Sequence, residues 1–276
     1  NLRHNNRMNH NKYGCKPPQI DVRDYKLAKT AVDASSLPVA YVPMQLPAVK
    51  NQKSVSSCVA HTTSSILEFH DIENGNTLST NFIYGIQKQF CGHEGSGMYL
   101  RDACKIVKEY GDMLESDCSG NDEIPKCWEI AQDALNNDKC KKNAQAFKVK
   151  SYFNCSSNND IKRAIYEYGP VLCSIKWYDT FKVDKDGALE GAQKGDYGYH
   201  AVMIYGWNST GFLCQNSWGK NWGVNGRFVL PYSIPVAEAK GLVDEETSNI
   251  IIPKRNKFLD FIYKIVNAIV NFFKGK

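Results

Sequence analysis

Cys58 stands at the head of a stretch that reads as a helix, where a thiol ionises most readily. The stretch runs from Ser56 to about Asp71, with Ser56 or Ser57 placed to cap it and apolar residues at Val59, Ile66, Leu67 and Phe69. The positive end of a helix dipole, aided by a nearby imidazolium, lowers a thiol pKa from about 8.5 to roughly 3.5–7.5. The chemistry this suggests is acyl transfer. It requires a thiolate, a base that supplies the leaving-group proton, a group that holds the base in one tautomer, and donors for the oxyanion. His61 lies at i+3 on the same helical face and competes for the role of base. His93, in Cys91-Gly92-His93-Glu94-Gly95, reads as a solvated loop histidine.

Other elements must position this thiol. A second helix is expected from Met98 to Tyr110, ended by Gly111, and a third from Ile161 to Tyr168, ended by Gly169-Pro170. After Pro170 the pattern changes. Residues 171–175, 201–205, 212–214 and 227–230 are short apolar runs separated by Gly and Asn turns, as strands are. Helices first and strands after predict an α+β chain with two unlike lobes.

Three segments then bear on the chemistry together. Val49-Lys50-Asn51-Gln52-Lys53-Ser54-Val55-Ser56-Ser57-Cys58 resembles the nucleophile segment of papain-like cysteine peptidases. Gly198-Tyr199-His200-Ala201-Val202 resembles the family's histidine strand, and Asn216-Ser217-Trp218-Gly219 its asparagine motif. His200 falls within the roughly 130–150 residues downstream expected for that pattern. The resemblance covers about residues 37–235. It implies a two-lobed papain-like fold, with a helical N-terminal lobe, an antiparallel β-barrel-like C-terminal lobe and the cleft between them. It also implies a cysteine endopeptidase acting through a thioester and made as a zymogen or self-restrained precursor, with an amidase or peptide ligase, or a catalytically silent binding protein on the same fold, as the alternatives. Cys58 would be the nucleophile and His200 its ion-pair partner. Asn216 would orient His200, Trp218 would shield that bond, and Gln52 would join the Cys58 N–H in the oxyanion hole. Gly97, Met98, Tyr199 and Trp218 would line the substrate site. No cofactor or metal is implied, and the partners would be protein or peptide substrates.

The departures from the family pattern are local. Val59 stands where a Trp is common, and Val55 where a Cys is common. Gly95-Ser96-Gly97-Met98 is the nearest match to the Gly-Gly pair that lines the substrate backbone. The long helical prosegment is replaced by Asp21-Val22-Arg23-Asp24-Tyr25, which is similar to the short lead-in of some bacterial and viral papain-like enzymes. Residues 1–36 therefore read as an extended prosegment, 37–252 as the peptidase domain and 253–276 as a helical tail. Pro17-Pro18 stiffens the lead-in, which at ~3.3–3.6 Å per residue is long enough to cross a cleft. The stretch near Cys15 to Ile20 is expected to lie across or beside the cleft and hinder access to Cys58.

Composition narrows the partners. Of the 34 Lys and Arg residues, six lie in 254–276 against one acidic residue, so the rest of the chain is neutral. A basic groove for nucleic acid is not indicated. In the tail, Phe258, Phe261, Ile262, Ile265, Ile269 and Phe272 recur at helical spacing among lysines, which suits contact with protein or an anionic membrane surface. No apolar run is long enough for a transmembrane helix. The ten cysteines include no C-x-x-C pair, which argues against zinc. Cys118, Cys127, Cys140 and Cys155 lie in a polar stretch and suit bridges in an oxidising compartment, so a secreted, lumenal or virion-associated setting is favoured. Asp184-Lys185-Asp186-Gly187 reads as a hairpin turn. Asn208-Ser209-Thr210 and Asn154-Cys155-Ser156 match the glycosylation pattern.

Overall fold

A computed structural model describes residues 13–19, 34–93, 95–120 and 126–244. Its first lobe is helical: α1 Cys58–His70, α2 Thr80–Cys91, α3 Leu100–Glu109, α4 Lys126–Asn136 and α5 Asp138–Gln145. Helix α1 is buried from Cys58 through Glu68. Its sequence has small polar residues where most core helices carry aliphatics, and Thr62, Thr63 and Ser64 each find a partner. Thr63 Oγ1 donates to Val59 O at 2.8 Å, Ser64 Oγ to Asp112 Oδ2 at 2.7 Å, and Thr62 Oγ1 to Ala201 O at 3.3 Å. The last of these ties the nucleophile helix to the strand that carries His200. Lys50 Nζ meets Glu68 Oε1 at 2.7 Å and Leu78 O at 3.1 Å, which pins the loop before α1 to that helix's far end. Removing one partner of such a buried pair costs about 3–5 kcal/mol, because the other charge is left uncompensated.

The second lobe is a sheet with one helix. Its strands are β1 Val149–Asn154, β2 Val171–Tyr178, β3 Lys182–Val183, β4 Leu189–Glu190, β5 Tyr197–Trp207, β6 Gly211–Gln215, β7 Arg227–Pro231 and β8 Val236–Asp244, with α6 Asn158–Tyr168 between β1 and β2. Six strands form an antiparallel sheet in the order β1-β8-β2-β5-β6-β7, and β3 pairs with β4. Among the described residues the sheet stays open, with β1 and β7 as its edges. Alternation along β2 and β5 sends Leu172, Ala201 and Met203 into the helical core, and Cys173, Ile175, Val202 and Ile204 into the core of the strand lobe. Both faces are buried, so these strands read as continuous apolar runs.

The three expected helices occur with shifted ends. Gly111 closes α3 as anticipated: its φ is 82°, and a Cβ there would sit 1.8 Å from Ala144 O. Helix α6 starts earlier than its apolar residues do, because Ser157 caps it by accepting from Asp160 N. Helices α2, α4 and α5 and strands β1 and β8 are additions to the sequence reading. All ten cysteines are free thiols, and Cys118, Cys127 and Cys140 are buried in the helical core, so the expected bridges do not form. Asp184 makes the expected turn, its Oδ1 accepting from Asp186 N and Ala188 N. Asn208 caps its own turn through three bonds to Oδ1, whereas Asn154 is held on Lys240 Nζ. No described helix is long and apolar enough to cross a membrane. The basic tail lies outside the described residues.

Candidate active site

Cys58 is the first residue of α1 and has no exposed surface. Ser57, at the N-cap, provides no side-chain cap. The Ala201 N–H donates to Sγ at 3.4 Å, and the backbone of Gly14, Cys58 and Val59 adds its own partial positive charge nearby. These groups favour the thiolate. Burial opposes them and prevails, pushing the thiol up to about 11. In this covered form Cys58 therefore holds its proton at neutral pH. Alkylation of the full-length protein is expected to keep rising with pH beyond the ordinary thiol value of about 8.5. A chain that begins at Leu37, with Cys58 rehydrated, should level off at lower pH. Coincident pH–rate profiles for the two chains would refute this.

His200 projects from β5, where it pairs with Ile175 of β2. Its Nε2 lies 2.7 Å from Asn216 Oδ1. The Ser217 N–H donates to that same oxygen at 2.8 Å, which fixes the orientation of the amide. Oδ1 can only accept, so Nε2 carries the hydrogen and exchange with the thiol falls to Nδ1. Trp218 stacks on the imidazole, with centroids 4.5 Å apart and planes at 28°. Trp177 stands edge-on to the imidazole at 5.3 Å, and Trp222 and Phe228 back it. These indoles keep water from the His200–Asn216 bond, and a hydrogen bond in such low dielectric is stronger.

Gln52 is buried beneath the same corner. Its Oε1 accepts from Ser217 Oγ at 2.6 Å, its Nε2 donates to Val55 O at 2.7 Å, and its backbone N–H donates to Ser217 O at 2.8 Å. Ser217 thus joins the asparagine motif to Gln52. His61 is turned away from this chemistry, with Nδ1 on Ser57 O at 3.0 Å. His93 instead pairs with the buried Asp102 through Nδ1 and packs on Tyr99.

The cleft above these groups is occupied by residues 13–19. The Cys15 N–H donates to Tyr199 O, the Lys16 N–H to Met98 O and the Met98 N–H to Gly14 O, at 3.2, 2.9 and 2.9 Å. The segment is thereby sandwiched between two of the expected substrate-lining residues, parallel to one and antiparallel to the other. Gly14 lies so close to the nucleophile loop that a Cβ there would sit 2.1 Å from Ser56 O. Gly97 lies alongside, with its N–H on Tyr84 Oη at 3.2 Å. Tyr13 packs on His200 and Trp218 and donates to Asp179, while Arg101 holds Gln19 O at 3.3 Å. Ile20 lies outside the described residues.

Sequence reasoning missed Trp177, Ser174 and the second bond of Ser217. Trp177 lies two residues beyond the apolar run 171–175, and nothing local marks it. Ser217 stood inside a noted motif, but nothing local links it to Gln52. Among the described residues, no group of three or more His, Cys, Asp or Glu could hold a metal ion.

The chain matches the family described as Papain family cysteine protease over residues 34–237. It is 26% identical over 211 residues to Cathepsin B-like cysteine proteinase 3 of Caenorhabditis elegans, covering 66% of this chain and 56% of that one. It is also 26% identical over 199 residues to the uncharacterized peptidase C1-like protein L477 of Acanthamoeba polyphaga mimivirus, covering 66% and 63%. The chain spans about half the length of the first curated relatives it matches. Among solved structures it resembles xylellain, a cysteine protease from Xylella fastidiosa, with a TM-score of 0.72 at 23% identity, covering 85% of this chain and 96% of that one. Procathepsin L 3 of Tenebrio molitor aligns with a TM-score of 0.61 at 18% identity, covering 85% and 76%. With a family match over most of its length, and with thiol, imidazole and amides gathered at one corner, this chain belongs to the papain family of cysteine proteases.

Proposed function

We propose that this protein is a cysteine endopeptidase made in a self-restrained form. One observation carries the reading: the thiol of Cys58 is tied to the Ala201 N–H while the preceding residue, His200, is fixed through Asn216. Once the cleft is open, Nδ1 of His200 takes the thiol proton. Sγ attacks the peptide carbonyl, and the oxyanion is met by the side-chain amide of Gln52 and by the Cys58 N–H. Loss of one such donor typically costs ~10²–10³ in rate. Nδ1 then protonates the leaving amine, and water hydrolyses the thioester. Met98 and Tyr199 offer the substrate backbone the same groups that now bind residues 14–16. Reaction of the opened enzyme with a thiol-directed epoxide, and analysis of products on peptides with and without an added amine acceptor, tests this. No labelling at Cys58, or ligation in place of hydrolysis, would overturn it.

The restraint is residues 1–36, of which 13–19 lie over the nucleophile, with the peptidase body beginning near Leu37. Trp207 Nε1 donates to Pro38 O at 3.1 Å and Tyr41 stacks on Trp207, which supports that boundary. The tail, residues 254–276, is proposed as a contact for protein or an anionic membrane on its charge and apolar spacing. Deleting it should change vesicle binding or self-association while sparing turnover of a small peptide. A body that unfolds without the tail would make it part of the core instead.

A further inference from the structure

Two sulfur atoms converge on one pair of strand residues. Ser174 of β2 and Ala201 of β5 face each other across the ladder, a pairing whose Cα atoms lie about 4.5–5.5 Å apart. Cys15 Sγ donates to Ser174 Oγ at 3.2 Å, and Cys58 Sγ accepts from the Ala201 N–H at 3.4 Å. Gly14 is packed so tightly on the nucleophile loop that a Cβ there would sit 2.1 Å from Ser56 O, so Cys15 follows a residue seated beside that loop. Cys15 is 7% exposed and Cys58 is fully buried, so neither thiol meets solvent while the segment is seated. A disulfide needs α-carbons within about 4.4–6.8 Å, and the two sulfurs, held on facing residues of β2 and β5, are near enough for charge on Cys58 to oppose ionisation of Cys15.

We propose that Cys15 is a redox partner of Cys58, the two closing a reversible disulfide under hydrogen peroxide. This rests on the reading that residues 13–19 cover the cleft. When the segment lifts briefly, the Cys58 thiolate attacks one peroxide oxygen. The O–O bond breaks, hydroxide leaves, and a sulfenic acid forms. The segment reseats, and Cys15 sulfur attacks the Cys58 sulfur. The S–O bond breaks, and the departing hydroxide takes the Cys15 proton as water. In sum, two thiols lose two electrons and one peroxide becomes two waters. The link bolts the segment across the cleft and stops Cys58 from advancing to sulfinic acid, and a dithiol reverses it.

The test uses the full chain, treated with hydrogen peroxide, blocked with iodoacetamide, digested without reductant and weighed. The expected product is a Cys15 peptide joined to the Cys58 peptide, lighter by two hydrogens than their sum. Epoxide labelling after activation should fall to background and return fully with dithiothreitol. In Cys15→Ser, or Cys15→Ala should the serine disturb packing, Cys58 should instead proceed to sulfinic acid, with no recovery on reduction. Over-oxidised Cys58 without a link in the full chain, or equal recovery in full chain and variants, overturns the proposal. The link is read by mass, without turnover. Failure of the restraint itself appears separately, as equal activity of reduced full-length and shortened chains.

Discussion

Cys58→Ala is expected to abolish peptide cleavage and epoxide labelling while leaving the fold intact, and His200→Ala to lower turnover by about 10⁴–10⁶. The alanine at position 58 suits the first turn of α1 and removes a single buried sulfur, so secondary structure and thermal unfolding should change little. His200 does two things at once: it stabilises the thiolate and protonates the leaving amine. No other described side chain is placed to substitute. His61 is bonded back to the Ser57 carbonyl, and His93 to Asp102. Asn216→Ala should cost less, because the ring loses its tautomer-fixing acceptor but stays between Trp218 and Trp177. The measurement is kcat and KM on a small peptide in chains freed of residues 1–36. Substantial hydrolysis by either Cys58→Ala or His200→Ala would sink the assignment.

A chain beginning at Leu37 should turn over a small peptide on the order of 10²–10³ faster than the full-length protein, and added peptide 1–36 should reverse the gain. The size follows from tethering. A short covalent link holds a segment at an effective concentration on the order of mM, so micromolar intrinsic affinity leaves the cleft open only a small part of the time. Three backbone hydrogen bonds to Met98 and Tyr199, the Tyr13 stacking and the Arg101 contact all vanish with the segment. The body keeps its own anchors at the new N-terminus, since Tyr41 and Pro38 still dock on Trp207. Equal rates in two folded chains would show that residues 13–19 pack without restraining.

The place of Cys58 at the start of a helix was legible from the residues themselves, while the roles expected of Gln52, His200 and Asn216 came from the resemblance of their three segments to papain-like motifs. The two-lobed α+β fold was legible for a related reason, since periodicity and Gly punctuation are local signals. Helix α5 was not. Six of its eight residues are charged or polar and only Cys140 and Ala144 are buried, so tertiary packing, not amphipathic pattern, holds it. Strand β8 enters the sheet between β1 and β2, far from either in sequence, and no local signal encodes such a pairing. Sequence could say that residues near Cys15 were long and stiff enough to reach the cleft. Only the tertiary structure decided that the Cys15 thiol settles on Ser174, opposite the Ala201 N–H that holds Cys58, because that meeting depends on the register of β2 against β5.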